Sequence, residues 1–575
     1  MNKKVDLLIK NALVFNSFFK KFIGADVYIL ADKFYYIDIK KSRELESKQT
    51  IDADGSYMIP GFIDIHMHIE SSMLTPEPFS NHLAKYGVTT IVSEPHEIAN
   101  VFGYKGIEAM IEAGKSSLID IYYGIPSSVP STNENLETTG ASINFQDMKK
   151  LYELKDVVCV GEVMNYREII EDNNLEISKF INFLNKEDPS YPIEGHCPSL
   201  VDLDLAKFLY LGINGDHTEH TLEEIRQRFM NGMFVEIQEK MIRPEIIDFI
   251  NKNRLYEHMA FVTDDVMVDD LYENGQLNKV IKKAIDYDFP LEEAIYCASY
   301  TPSQRMNLRD RGVIAPGKLA DFSLMKDLKN LETNQVFKAG KMIYSQENGL
   351  LESSNKYKFP NSFKNSIKLE ALNLDKFKLK VNPSVKEVSL RVMNIKNGST
   401  HIKESEVRLK VIDGYIDWES SGYLLALVIE RHGKNGSIGY GLVAGDTIKE
   451  GAFATSWLHD HHNLLVVGSD APSMLKVANT VVENQGGLAV AKDEEILANL
   501  KLPIAGIMSE EPIEKVARDL AKVRASLVDL GYQHYNPIMS IGTYGLAVSP
   551  YLKLTDKGLV DVVQGKILSL IKKSN

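Results

Sequence analysis

Between residues 62 and 265 the chain carries eight short apolar runs rich in β-formers, most of them followed by a longer stretch of helical pattern. They read FIDIHM, VTTIVSE, LIDIYYGI, VVCVGEV, PIEGH, INGDH, MFVEIQ and MAFVTDD. Few folds accept this alternation. Parallel strands need a crossover between them, and a helix supplies it. Eight such units over about 250 residues match a (β/α)8 barrel. The chain has 575 residues, too many for that one core, so further domains are expected. The first fifty-odd residues read as strands and turns, and so do GVIAPGKLADFSLM and NQVFKAGKMIY after the last helical stretch. The expectation is an α/β architecture in four parts. Residues 1–57 and 305–345 form a composite β-sandwich domain, 58–304 the barrel, 346–365 a polar linker, and 366–575 an extra C-terminal α/β domain.

In a barrel enzyme the functional groups sit at the C-terminal ends of the strands. Here the first run ends in His66 and His68, the second in Glu94, His96 and Glu97, and the fourth in Glu162. The fifth ends in His196, the sixth in His217, and the eighth in Asp264 and Asp265. Side chains alternate along a strand, so His66 and His68 face one side. Imidazole with carboxylate suits zinc, manganese, iron or cobalt, and four histidines with two carboxylates suffice for two metals sharing a bridge. Each piece has an ordinary explanation: an HxH pair as two polar residues, Glu162 as a salt-bridged carboxylate, the DD pair as a helix cap. His220 reads as an ordinary loop or helix-start residue. The coincidence of so many chargeable residues at predicted strand ends favours metal, because burying them uncompensated is costly.

Composition narrows the rest. The formal charge of −14 argues against a general grip on nucleic acid. No run of eighteen apolar residues appears, so no membrane span is expected. The N-terminal MNKKVDLLIKNALVF lacks the pattern of a cleaved leader and reads as mature protein. Cys159, Cys197 and Cys297 are widely spaced, with no zinc-knuckle pattern, which points to a reducing cytoplasm. The sequence leaves a homodimer or higher homo-oligomer open.

PGFIDIHMHIESS resembles the first-strand signature of the amidohydrolase superfamily, and GVIAPGKLADF resembles its return to the β-sandwich. More closely, the chain resembles the microbial, amidohydrolase-type adenine deaminase family. HIESSMLTP, EPHEIANVFG, GEVMNY, EGHCPSL, GDH and FVTDD carry the likeness in the barrel. GAFATSWLHDHHNLLVVG, NQGGLAV and LPIAGIMSEEP carry it in the C-terminal domain. The superfamily commonly places a modified lysine at the end of strand 4; Glu162 stands there instead, as in adenine deaminases, against a cyclic-amide hydrolase. A catalytically silent purine-binding paralogue is the other alternative, disfavoured because the ligand positions are filled.

The resemblance implies hydrolysis of adenine to hypoxanthine and ammonia, a step of purine salvage. It implies two divalent metals, manganese or iron, with zinc also accepted. His66, His68 and Asp264 would hold one and His196 and His217 the other, with Glu162 between. Glu162 and Asp264 are the catalytic candidates, Asp264 moving the proton. Glu94 and Asp265 would be auxiliary ligands or support the ligands. Ser71, Ser72, His96 and Glu97 are candidates for holding the purine. The family often has Asp where Glu94 stands. His461, in HDHHN, receives no role. The HDHHN and NQGG loops are candidates for covering the pocket.

Overall fold

A computed structural model describes residues 4–42, 45–171, 174–351 and 356–574. The eight runs form one parallel sheet in chain order: β1 Phe62–Met67, β2 Val88–Ser93, β3 Asp120–Ile125, β4 Val157–Val163, β5 Ile193–Gly195, β6 Gly215–Asp216, β7 Phe234–Ile237 and β8 Met259–Phe261. Beyond β8 the sheet curls back on β1: Met67 bridges Asp264 in parallel, and the Asp264 N–H donates to the His66 carbonyl at 3.1 Å. β1 and β2 are buried along their whole length, as strands covered on both faces must be. Ile63, Ile65, Val92, Cys159, Ala260 and Val262 pack in one cluster with Met306 and Leu308, so the barrel is filled rather than hollow. The helices turn one apolar stripe to this wall. In Leu277–Asp286 the buried residues are Leu277, Val280, Ile281 and Ala284, spaced as a single helical face.

A nine-stranded sheet flanks the barrel and draws on both of its ends. Tyr57–Pro60 runs parallel to Lys4–Asn16 on one side and antiparallel to Phe322–Asp327 on the other. Leu7, Ile9, Val27, Met58, Phe322 and Phe337 lie in its core. The stretch 346–365, polar on average, also packs. Gly349–Leu350 pairs with Lys341–Ser345, and Phe359 and Phe363 are buried. The Phe363 ring lies 4.3 Å from that of Phe102, at the end of a barrel helix. Mean polarity hid two apolar anchors; residues 352–355 lie outside the described ones.

The C-terminal part is built on a ten-stranded, mostly antiparallel sheet. Helix Ala471–Glu483 is capped by Asp470, whose side chain accepts from Ser473 N–H at 2.8 Å, and buries Met474, Val477, Ala478 and Val481 against the sheet. The sheet side of the molecule docks on the barrel mouth through specific polar contacts. Thr138 gives its N–H and hydroxyl to Asp556 at 2.8 and 2.6 Å, and Asn463 donates to the Thr138 carbonyl at 2.8 Å. Arg524 pairs with Asp269 at 2.7 Å. Thr75 and Ser509 exchange backbone bonds with each other's neighbourhood: Thr75 N–H to Ser509 O, and Ser509 N–H to Met73 O. Among the described residues no helix is long and apolar enough to cross a membrane.

Candidate metal centre

Between Asp64 and Met67 the register of β1 with β2 shifts, an irregularity that re-aims side chains. His66, within this stretch, and His68, just after it, lie edge to face at 5.2 Å. Asp264, just past β8, has φ of +61°. Aspartate tolerates this left-handed conformation, which turns the chain at once and aims the carboxylate back over β1. Its Oδ1 lies 3.6 Å from His68 Nε2 and 4.0 Å from His66 Nε2. On the opposite side Glu162 Oε2 lies 2.6 Å from His196 Nδ1 and 3.3 Å from His217 Nε2, and those two nitrogens are 3.3 Å apart. The other oxygen, Oε1, lies 3.5 Å from His68 Nε2. Glu162 therefore stands between the two groups. The His66 and His217 rings stack at 3.6 Å, and His66 Nε2, although buried, has no hydrogen-bond partner among protein atoms. A buried acceptor nitrogen left this way among imidazoles and carboxylates fits a metal.

The charges are coupled. Burial would raise the Glu162 carboxyl, but His196 and His217 beside it hold it well below the carboxylate range. Burial would likewise raise Asp264; His217 and Lys240 foremost outweigh it and bring the group to about 2. Burial, with His217 alongside, pushes His66 well below the usual imidazole value, which keeps it neutral and able to donate a lone pair. His68 is fixed by a bond between its Nδ1 and the Glu94 carbonyl at 3.0 Å. An imidazole with one nitrogen on a carbonyl presents the other to a metal in a set orientation.

Of the residues expected from sequence, His66, His68, Glu162, His196, His217 and Asp264 converge above the barrel. Glu94 lies beside His68, its Oε2 3.9 Å from Nδ1, and contacts the His96 ring. Asp265 accepts the Ser71 hydroxyl. The other purine candidates are engaged otherwise. The Ser72 hydroxyl donates to Ile69 O at 2.6 Å and accepts from Leu74 N–H at 3.2 Å, closing its own turn. Glu97 is buried among His459 and His462 of the C-terminal domain. Of the two loops expected to cover the pocket, HDHHN thus reaches the barrel; His461 within it turns away, its Nδ1 accepting from Asn463 N–H at 3.1 Å.

Sequence reasoning passed over Gln238 and Ser127. Gln238, just past β7, donates to Asp264 Oδ2 at 3.3 Å and to the His217 carbonyl at 2.8 Å. Ser127, past β3, donates to the Glu162 carbonyl at 2.6 Å. Both stand at strand ends, where the barrel rule pointed, but a search for metal donors ignores amides and hydroxyls. Glu70 was also left without a role. Its Oε1 accepts from Ile98 N–H at 3.3 Å, and burial raises it to about 7.

A filled parallel barrel whose strand ends gather imidazoles around a bridging carboxylate defines a metal-dependent hydrolase scaffold. Residues 57–197 and 190–343 match the amidohydrolase family, and residues 399–566 match the adenine deaminase C-terminal domain. The adenine deaminase of Clostridium perfringens is 48% identical over 572 residues, covering 99% of this chain and 100% of that one. Adenine deaminase 2 of Shouchella clausii is 44% identical over 98% of this chain and 99% of its own. The adenine deaminase of Lactobacillus delbrueckii subsp. bulgaricus is 42% identical over 97% and 98%. The chain belongs to the adenine deaminase family of amidohydrolases.

Proposed function

We propose that this protein hydrolyses free adenine to hypoxanthine and ammonia with two divalent ions in the centre described above. The observation that carries the reading is the position of Glu162, within 3.5 Å of His68 on one side and 3.3 Å of His196 and His217 on the other. One carboxylate so placed offsets the repulsion of two close cations, with His66, His68 and Asp264 on one and His196 and His217 on the other. Ions held there would lower the pKa of a water ligand from about 15.7 to about 7, supplying a nucleophile for C6 of the purine. Manganese, iron and zinc all accept this donor set.

The chain's own groups do the rest. Asp264 takes the proton of the attacking water and hands it to the ring nitrogen or the departing amine. Gln238 occupies its Oδ2 and leaves Oδ1, the oxygen nearer the imidazoles, for that transfer. The Ser71–Asp265 pair offers a hydroxyl and a carboxylate to the purine edge. The HDHHN loop closes over the mouth and excludes water. A base enclosed in this way has no room for a ribose on N9. The three cysteines are buried and unpaired, which supports a reducing, cytoplasmic setting.

The test is ammonia release from metal-reconstituted enzyme offered adenine, adenosine, cytosine and a hydantoin. Adenine should be the good substrate. Equal turnover of adenosine, or preference for the hydantoin, would overturn the reading.

A further inference from the structure

Beside the barrel-axis centre lies another buried group of metal-ligating side chains, drawn from two parts of the molecule. His96 and Glu97 come from the start of the helix after β2. His459, Asp460 and His462 come from the C-terminal loop between strands Ala452–Thr455 and Leu464–Gly468. None of these five residues is more than 5% exposed. Donor atoms of His96, Glu97 and Asp460 lie within 4.8 Å of one another. His96 Nε2 lies 3.6 Å from Glu97 Oε1 and 4.0 Å from Asp460 Oδ1. Donors about 2.1 Å from a tetrahedral ion stand about 3.4 Å apart, so these three are spaced to share one ion. His459 Nδ1, at hydrogen-bond distance of 2.7 Å from Glu97 Oε1 and 3.4 Å from Asp460 Oδ1, borders the group from the C-terminal loop.

We propose that His96, Glu97 and Asp460 bind a further divalent cation, bordered by His459, that clips the C-terminal domain onto the barrel mouth. The surroundings of the three donors argue for this. A metal-bound imidazole characteristically gives its other N–H to a carboxylate. His96 does so: its Nδ1 is bonded to Glu94, which leaves Nε2 for the cluster. Glu97 Oε2 is bonded to His462 Nε2, which fixes the carboxylate and leaves Oε1 for the cluster. Asp460 Oδ2 is buried with no hydrogen-bond partner among protein atoms, so this carboxylate is left short of compensation. Three carboxylates, Glu94, Glu97 and Asp460, are thus buried at a domain boundary, where a cation offsets their mutual repulsion. The mixed imidazole and carboxylate set favours manganese, iron or zinc over calcium or magnesium.

The site differs from the one used for catalysis, but His96 joins them. Its Nδ1 lies 3.5 Å from Glu162 Oε1, while its Nε2 faces the cluster. Loss of the cation would therefore free the HDHHN loop and loosen the neighbour of a catalytic carboxylate without removing any ligand of the catalytic pair.

The experiment begins with wild-type crystals soaked in manganese. An anomalous difference peak among His96, Glu97 and Asp460, besides those at the catalytic centre, is expected. Catalytic peaks without this one would overturn the proposal and leave a protonated imidazole–carboxylate network as the explanation. In parallel, metal content is measured on Asp460→Ala and on His66→Asn/His68→Asn. Asp460→Ala should lose about one equivalent per chain and keep the catalytic metals, since binding energy goes with ligand count. His66→Asn/His68→Asn should keep that equivalent. Metal content unchanged in Asp460→Ala, or no metal retained when the catalytic ligands are cut, would count against the clip. Should Asp460→Ala fail to fold, the crystal peak and the second variant still decide. Failure of the adenine assay would leave these counts unaffected, so the two readings fail separately.

Discussion

Replacing Arg228 by Met should destabilise the barrel and release metal, although Arg228 touches no metal ligand. The guanidinium is fully buried. Its Nε donates to Asp216 Oδ2 at 2.7 Å, and its terminal nitrogens reach the carbonyls of Cys197 at 2.7 Å, Glu224 at 3.2 Å and Leu200 at 3.3 Å. Asp216 is fully buried too, and also accepts from His220 Nε2 at 2.7 Å and Thr218 Oγ1 at 2.9 Å. Burial would raise its carboxyl, but His220 and Arg228 hold it well below the carboxylate range, so it is charged. Removing one partner of a buried pair typically costs about 3–5 kcal/mol, since the other charge stays behind. His220 keeps part of the compensation, which places Arg228→Met near the lower end. Asp216→Asn/Arg228→Met removes both charges. It should be less destabilised than the sum of the single variants by about 0.5–3 kcal/mol. Urea unfolding followed by circular dichroism gives the energies, and metal content after dialysis gives the consequence for the site. Asp216 precedes His217, and its Oδ1 accepts from Cys197 N–H, next to His196, at 3.4 Å. Both imidazoles should therefore lose position together. An Arg228→Met protein within about 1 kcal/mol of wild type would refute the reasoning, as would strict additivity in the cycle.

Three further outcomes are expected. Asp264→Asn should retain much of its metal yet lose turnover by a factor on the order of 10² or more, whereas Glu162→Gln should lose metal and activity together; near-normal turnover of fully loaded Asp264→Asn would remove Asp264 as proton carrier. Gln238→Leu should lower turnover by roughly 10-fold, the worth of one hydrogen bond to a charged group, with metal content unchanged; simultaneous metal loss would show that it acts on His217 instead. Lys553 is buried with its ammonium on the carbonyls of Thr400 and Thr543 at 2.7 and 2.9 Å, and burial pulls it from 10.5 down to about 7. The unfolded chain therefore binds this proton over a range where the folded one does not, and the lysine makes stability rise with pH from about 7 to about 10.5. Lys553→Met should flatten that rise, and parallel melting-temperature curves for the two proteins would contradict the assignment.

The barrel was legible because six of the eight strands end in His, Glu or Asp, the chemistry that a barrel mouth gathers. Even β6, only Gly215–Asp216, was visible through the histidine after it. What escaped was of two kinds. Gln238 and Ser127 stand at expected places but carry groups that hold no metal, so a search by ligand type passed them by. The partners of Glu97 lie more than 360 residues away in sequence, and nothing local in PHEIAN or HDHHN announces that the two segments meet. The sequence therefore offers Glu97 and His96 as purine candidates with no hint that Glu97 meets His459 and His462, or that His96 stands between Glu162 and Asp460. The stretch 346–365 is polar on average, and that average conceals two buried side chains, Phe359 and Phe363, for another reason: two residues among twenty barely move it.

The least legible parts are the two aspartates beneath the centre, and they account for how such short strands hold ligands in place. Asp64 and Asp216 look alike in the sequence, each in a strand one or two residues before a histidine. Asp64 Oδ1 accepts from His66 N–H at 3.3 Å, and Oδ2 accepts from the Thr263 hydroxyl at 2.5 Å. Thr263 in turn accepts from Gln276 Nε2 at 2.8 Å. One buried carboxyl thus ties the backbone of His66 to the residue before Asp264. Asp216 does the same for the other half, joining the chain at Cys197 to that at Thr218. The two are not electrostatically equal. Burial raises Asp64 to about 7, with no cation beside it, while Arg228 and His220 keep Asp216 charged. A protonated Asp64 can still accept at one oxygen and exchange a proton with a hydroxyl at the other, which suits the neutral Thr263–Gln276 chain. Asp216 must answer to a guanidinium and cannot be neutral. Each half of the centre is therefore anchored by bonds suited to its own charge state. An Asp64→Asn variant should be tolerated better than Asp216→Asn, since only the second breaks an ion pair.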